Sequence, residues 1–157
     1  MANFAARIGE VAAKWPGRPA IEQVRGTGEV ETTTYGALDD RAQRLAGWLA
    51  SQPIHAGDRA AILADNDARW IAAYLGTLRF GAVAVPLDTA YKAAQVRAVL
   101  ESSGARLIFT TEKYLATAQA AREGSISAKW SIPGSTVTAA SRPAASTNAV
   151  VIATGTR

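Results

Sequence analysis

Apolar residues in the middle of the chain change their spacing twice, and the predicted fold is organised around that stretch. Residues 60–64 form a short, continuously apolar run, which is typical of a strand buried on both faces. A helical spacing follows as far as Phe80, and Asp67 predicts its N-cap because a short carboxylate accepts hydrogen bonds from free backbone N–H groups. Gly81 then predicts the end of the helix, and Pro86 the end of a second strand. This pattern predicts two parallel strands joined by a right-handed helical crossover.

The same periodicities predict further elements on both sides of this central unit. A helix, a β-hairpin and a second helix precede it, and a helix, a buried strand and a last helix follow it. Together they predict an open, mostly parallel α/β sheet with helices on both faces, preceded by a β-hairpin. The positions that define the elements are Phe4, Ile8, Val11 and Trp15; residues 20–24 and 30–33 of the hairpin; Leu38, Ala42, Leu45 and Leu49 after an N-cap at Thr34; Trp70, Ile71, Tyr74, Leu75 and Leu78; Ala93, Val96, Val99 and Leu100; and residues 107–109.

The composition of the chain changes after Gly124. Ser, Thr, Ala and Pro dominate there, acidic residues are absent, and apolar residues lose their period. Such a segment has little apolar surface to offset the entropy lost on ordering, although residues 149–152 have the pattern of a strand. We therefore divide the chain into an N-terminal α/β segment, residues 1–123, and a Ser/Thr/Ala-rich tail, residues 124–157, which we expect to be mobile.

Composition and charge exclude several classes of protein. The 157 residues include no Cys and one His, so disulfides and thiolate sites are excluded, and we expect no metal site. No apolar run is long enough to span a bilayer, and the first residues lack a secretory pattern, so we expect a cytoplasmic protein. The net charge is +4, but three of the 17 basic residues follow the last acid, Glu123, which leaves residues 1–123 nearly neutral. Without a basic cluster we expect no nucleic-acid partner.

Few side chains are candidates for chemistry. Asp65, Asn66 and Asp67 follow a predicted strand, at the edge where open α/β sheets place ligands. They could bind a cation or a ribose, but capping of the next helix is the simpler interpretation. His55 lies in a loop with no nucleophile or carboxylate at useful spacing, and we expect a solvated histidine. Residues 25–29, Arg-Gly-Thr-Gly-Glu, have some features of a phosphate loop but lack a further Gly and a strand-to-helix setting, so they favour a hairpin turn.

Several short motifs follow one another in a fixed order, and the clearest are Thr34-Tyr35-Gly36-Ala37-Leu38, Gly57-Asp58-Arg59, Asn66, Gly81-Ala82-Val83, Val85-Pro86-Leu87 and Ser102-Ser103-Gly104-Ala105. Their order and spacing resemble the opening of the adenylate-forming family, the AMP-dependent acyl-CoA synthetases, over residues 3–115. Two positions depart from the family. Ala37 stands where Glu is frequent and could close a capping box, and Ala61 stands where a β-branched residue is usual.

The resemblance implies a two-step reaction. ATP and a carboxylic or fatty acid yield an acyl-adenylate and pyrophosphate, and coenzyme A then takes the acyl group and releases AMP. Full-length members of the family use ATP, Mg²⁺ and CoA, and Mg²⁺ with backbone amides holds the charge that develops on the phosphates. Their complete phosphate loop, their later Glu and Asp motifs and their C-terminal Lys are missing here. Thr154, Gly155 and Thr156 resemble the start of that loop and are the candidate cofactor-binding residues.

The sequence therefore predicts the N-terminal fragment of an acyl-CoA synthetase of fatty acid metabolism. We assign it no catalytic residue and no metal ligand, and we expect it to be inactive alone and to hold no cofactor of its own. The alternative is a stand-alone α/β binding or interaction module without catalysis. We expect uncovered apolar surface to cause self-association or association with the remainder of the synthetase. We expect no transmembrane segment. Marginal stability predicts that Trp70→Ala unfolds the chain, because a large buried aromatic would be lost.

Overall fold

The computed structural model describes residues 4–24, 26–123 and 149–153. The chain divides into two compact units. The helical unit consists of residues 1–56 and 66–82, and the sheet unit consists of residues 57–65 and 83–157. The described elements are α1 Phe4–Lys14, β1 Pro19–Val24, β2 Val30–Thr34, α2 Tyr35–Ala50, β3 Arg59–Leu63, α3 Ala68–Phe80, β4 Val83–Pro86, α4 Ala93–Ser103, β5 Leu107–Thr111, α5 Glu112–Glu123 and β6 Ala149–Ala153.

The sheet unit contains a four-stranded sheet in the order β4-β3-β5-β6. β3 pairs in parallel with both β4 and β5, and Ala60 lies between Ala84 and Leu107 in the register. These pairings confirm the open, mostly parallel α/β sheet that the apolar runs predict. The core beneath it contains aliphatic side chains of β3, β5 and α4, among them Leu63, Ile108 and Val96.

The last strand of the sheet comes from the tail. β6 pairs antiparallel with β5, and Thr111 lies opposite Ala149 while Leu107 lies opposite Ala153. The strand pattern of residues 149–152 is therefore confirmed, one residue longer than expected. The expected mobility of the tail concerns mainly residues 124–148 and 154–157, which lie outside the described residues.

The helical unit is built from α1, α2, α3 and the β1–β2 hairpin. The hairpin pairs Val24 with Val30, and Gly28 has a φ of 83° in the turn, so the hairpin interpretation of this glycine-containing segment is confirmed. α2 begins at the predicted cap, because the side-chain oxygen of Thr34 accepts a hydrogen bond from the backbone N–H of Ala37 at 3.2 Å. α3 ends at Gly81, whose φ of 91° is the left-handed conformation that glycine adopts at low cost.

α2 and α3 approach each other closely in this unit. A Cβ atom added at Gly76 would lie 2.8 Å from the carbonyl oxygen of Ala42 and 2.8 Å from side-chain atoms of Leu45. Only a residue without a side chain fits this crossing without a shift of the neighbouring helix. Ala42, Ala72 and Leu75 form part of the core at this contact.

Two sequence-based expectations about the helical unit are wrong in part. The apolar face predicted for α1 includes Phe4 and Trp15, but these side chains are 60% and 40% exposed, whereas Ala5 and Ala12 are buried. Small side chains occupy the contact of α1 with the rest of the unit, so its buried face is rotated from the predicted one. Trp70 is half-buried and stacks on Tyr74 at 5.5 Å between ring centroids. It is therefore not the fully buried aromatic that the predicted effect of Trp70→Ala requires.

Candidate functional site

The carboxyl edge of the parallel strands carries a small polar cluster in the sheet unit. Asp65 follows β3, and Lys113 and Tyr114 follow β5. The ammonium group of Lys113 donates to the two carboxylate oxygens of Asp65 at 3.1 and 2.9 Å. The hydroxyl of Tyr114 donates to Oδ1 of the same carboxylate. β3 and β5 are parallel neighbours, so residues that follow them meet at one edge of the sheet.

The electrostatics of this cluster raise the pKa of Lys113. The side chain of Tyr114 and, after it, the carboxylate of Asp65 raise the pKa of Lys113 to about 12 from its ordinary value of 10.5. An ammonium group with that pKa is protonated at neutral pH, so Lys113 is suited to hold an anionic group and not to remove a proton. The cluster is open to water, which weakens its ion pair relative to a buried one.

The structure separates the roles of the three polar residues that follow β3. Asp65 belongs to the cluster with Lys113, whereas Asp67 caps α3. The carboxylate of Asp67 accepts hydrogen bonds from the backbone N–H groups of Arg69 and Trp70 at 2.8 and 2.9 Å. It also pairs with the guanidinium of Arg69. The capping interpretation is thus confirmed for Asp67.

No metal site emerges among the residues described. Within 4–24, 26–123 and 149–153, His, Asp and Glu side chains nowhere gather in threes with the geometry of metal ligands. His55 is exposed in the loop between α2 and β3, as the sequence predicts. In the same described part of the chain, every helix is too short or too polar to cross a bilayer.

Sequence reasoning missed Lys113 and Tyr114. Both lie at the start of α5, where the sequence pattern predicts a helix that carries Tyr114 with Leu115 and Ala118 and does not indicate a site. Their proximity to Asp65 depends on the pairing of β3 with β5, which places residues 48 and 49 positions apart in contact. The available signal was the parallel strand order itself, because it fixes which strand ends share an edge.

The opposite edge of the sheet carries a second ion pair. Asp58 precedes β3 and Arg106 precedes β5, and the carboxylate of Asp58 lies 2.8 Å from a guanidinium nitrogen of Arg106. The backbone N–H of Arg106 also donates to the carbonyl of Arg59 at 2.8 Å. These contacts fix the beginnings of β3 and β5, and the half-buried guanidinium acts as a structural tie between strands.

The candidate cofactor-binding residues follow β6 in the sequence. Thr154, Gly155 and Thr156 lie outside the described residues, but Thr154 is bonded to Ala153, which pairs with Leu107 at the start of β5. β6 therefore ends at the edge of Asp58 and Arg106.

Comparisons with known proteins agree with this fold. Residues 8–154 match the family described as AMP-binding enzyme. The 3-hydroxybenzoate–CoA ligase of Aromatoleum sp. (strain CIB) is 33% identical over 62% of this chain and 18% of its own length. Surfactin synthase subunit 1 of Bacillus subtilis (strain 168) is 35% identical over 66% of this chain and 3% of its own length.

A solved structure gives the same result. A benzoate CoA ligase from Burkholderia xenovorans LB400 superposes with a TM-score of 0.71 and 28% identity, over 80% of this chain and 24% of that chain. The chain thus spans about a quarter or less of the length of each of these three proteins. Because the family match extends through both units and most of the chain, the chain belongs to the AMP-binding family of adenylate-forming enzymes.

Proposed function

We propose that this chain is the N-terminal segment of an AMP-dependent acyl-CoA or aryl-CoA synthetase, and that it supplies scaffold for adenylation without catalysing it alone. One observation carries the proposal: the chain matches the family over residues 8–154, but its superposition covers only 24% of a structurally similar benzoate CoA ligase. The remainder of such an enzyme would supply the groups that bind ATP, Mg²⁺ and CoA. The reaction of the whole enzyme would join a carboxylic acid to CoA through an acyl-adenylate, in the cytoplasm.

The contacts of the polar side chains support a scaffold role. The carboxylate of Asp65 is occupied by Lys113 and Tyr114, and that of Asp67 by the N-terminus of α3. The Asp58–Arg106 pair ties two strand beginnings together. Each of these carboxylates has a partner inside its own unit, so each is accounted for by local structure without a bound nucleotide.

The relatives suggest which acids to test first. Two of them are named for benzoate and 3-hydroxybenzoate, so an aromatic carboxylic acid is our first substrate class, with fatty acids second. The attack of such a carboxylate on the α-phosphorus of ATP needs groups that neutralise charge on the phosphates. In this chain, Thr154, Gly155 and Thr156 resemble the start of an incomplete phosphate loop, which is why we propose that the 157-residue polypeptide is inactive by itself.

The first experiment measures ATP–pyrophosphate exchange by the purified 157-residue polypeptide. We expect no exchange above background with benzoate, 3-hydroxybenzoate or fatty acids, because phosphate binding is incomplete. The benzoate CoA ligase from Burkholderia xenovorans, assayed in parallel, serves as the positive control. Exchange that copurifies with the polypeptide through two different chromatographic steps would contradict the scaffold proposal.

A chimera tests the proposal from the opposite side. Residues 4–123 of this chain would replace the matching segment of the Burkholderia xenovorans ligase. We expect benzoate-dependent exchange to remain within about tenfold of the parent enzyme, since a tenfold change is only about 1.4 kcal/mol in barrier height. A folded chimera that has lost all exchange would favour the alternative, a binding or interaction module. A matched chimera with Leu63→Ala shows whether activity follows the integrity of the sheet core.

A further inference from the structure

The first helix exposes its largest apolar side chains and buries its smallest. Phe4 and Trp15 are 60% and 40% exposed, whereas Ala5 and Ala12 are 1% and 4% exposed. A helix that only packs against its own unit is expected to show the reverse order. Large apolar side chains held in water mark an interaction surface when they are grouped.

Phe4 and Trp15 are grouped along one side of the helix. They are eleven residues apart, which is close to three helical turns, or roughly 16 Å along the axis. The backbone N–H of Trp15 still donates to the carbonyl of Val11 at 2.8 Å, so the helical geometry extends to Trp15. Val11 lies between them in the helical order and is half-buried. These three residues therefore form one apolar ridge.

Cations flank the exposed end of this ridge. The ammonium group of Lys14 lies 4.4 Å from the centroid of the Trp15 ring, and the guanidinium carbon of Arg18 lies 5.4 Å from it. Both cations are exposed. Arg7 adds a third, which pairs with Glu10 at 3.0 Å. We call the set of Phe4, Val11, Lys14, Trp15 and Arg18 the aromatic–cationic ridge.

The backbone beneath Trp15 is held in place by hydrogen bonds. The N–H of Arg18 donates to the carbonyl of Trp15 at 3.2 Å, and the carbonyl of Arg18 accepts from the N–H of Tyr35 at 3.0 Å. The carbonyl of Pro16 accepts from the N–H of Gly36 at 2.9 Å. The ridge is thus presented on a fixed loop, which lowers the entropy lost when it binds a partner.

We propose that the aromatic–cationic ridge docks on an anionic lipid membrane. Charge complementarity argues for this occupant, because Lys14 and Arg18 can meet lipid phosphates while Trp15 enters the interfacial region. An outward helix face with aromatic residues three turns apart is convex, and it matches a deformable lipid surface directly. An acidic protein partner would instead have to provide a groove complementary to this convex ridge. The proposal does not depend on the synthetase function proposed above.

Vesicle flotation with the 157-residue chain tests the proposal. Vesicles of phosphatidylcholine with phosphatidylserine should carry the chain upward at low salt, and vesicles of phosphatidylcholine alone should bind it at least about tenfold more weakly. High salt should release it, because mobile ions screen the cations. Absence of flotation with anionic vesicles, including the case in which the chain is retained only on immobilised acidic peptide, would overturn the proposal.

Paired variants assign the binding to the ridge. Phe4→Ser with Trp15→Ser, and separately Lys14→Glu with Arg18→Glu, should each reduce vesicle binding by at least about tenfold. The matched controls are Val24→Ser with Val30→Ser, an exposed apolar pair in the hairpin, and Lys92→Glu with Arg122→Glu, an exposed cationic pair in the sheet unit. Controls that lose as much binding as the ridge variants would overturn the assignment. Circular dichroism confirms that each variant is folded before it is compared.

Discussion

The sheet unit and the helical unit bury different kinds of side chain. In the sheet unit, β3 and β5 contribute large aliphatic residues, and Leu63 and Ile108 are almost completely buried. In the helical unit, the contacts between helices depend on Ala5, Ala42 and Gly76, while large aromatic side chains of α1 remain exposed. The sheet unit is thus stabilised mainly by apolar area, and the helical unit also needs close approach of its helices.

The largest effect should come from the sheet core. Leu63→Ala removes a side chain that is 0% exposed, so we expect a loss of about 2–5 kcal/mol in the free energy of unfolding. Trp70→Ala in the helical unit should cost less than that, because Trp70 is half-buried and its stacking on Tyr74 is only partly shielded from water. Urea denaturation followed by circular dichroism compares the two. A greater loss of unfolding free energy for Trp70→Ala would contradict the proposed difference between the units.

Substitutions at two glycines test whether the close approach of α2 and α3 stabilises the helical unit. Gly76→Ala should destabilise the chain by about 1–3 kcal/mol, because the new Cβ meets Ala42 and Leu45 at 2.8 Å. Gly47→Ala on α2 is the matched control, since nothing lies within 4 Å of its added Cβ. Alanine is the better helix former, so this control should gain about 0.5–1 kcal/mol.

Thermal unfolding measures both glycine variants. Equal shifts of the same sign would show that helix propensity, and not the α2–α3 contact, controls the stability of this unit.

The extent to which the sequence predicts the fold also differs between the units, because the two units bury different kinds of side chain. Residues 60–64 and 107–109 were identifiable as buried strands because a run without polar residues has few alternative placements. The caps at Thr34 and Asp67 were also predictable, since they depend on local hydrogen bonds.

The buried face of α1 was not predictable in the same way. Alanine contributes little to a hydrophobic periodicity, so the pattern was dominated by Phe4 and Trp15 and did not indicate the contact made by Ala5 and Ala12. The cluster of Asp65, Lys113 and Tyr114 was missed because it needs the strand order, which is a long-range property. Local chemistry was therefore predictable, and contacts between distant segments were not.

Asp65 in the sheet unit and Asp67 in the helical unit should contribute differently to stability, by a smaller amount. Asp67→Ala should cost about 0.5–2 kcal/mol, because it leaves two backbone N–H groups of α3 without their acceptor. Asp65→Ala removes an exposed ion pair and a hydroxyl contact in the sheet unit, so its cost should not exceed about 1 kcal/mol. Thermal unfolding of the two variants shows which substitution costs more stability. A larger effect for Asp65→Ala would revive the hypothesis that the carboxyl edge carries a specific site.

The smallest effect concerns the charge of Lys113 in the sheet unit. Its pKa is raised to about 12 first by Tyr114 and then by Asp65, so Tyr114→Phe and Asp65→Asn should each lower the pKa of Lys113 towards 10.5. Because the folded-state pKa lies above the unfolded one, the stabilising contribution is complete below pH 10.5 and is lost as the pH rises through 12. NMR titration of the Lys113 side chain measures these pKa values directly, and Lys92 provides an exposed lysine for comparison. If Tyr114→Phe leaves the pKa of Lys113 unchanged, the hydroxyl serves only to orient Asp65, and the cluster is a surface ion pair joining the ends of β3 and β5.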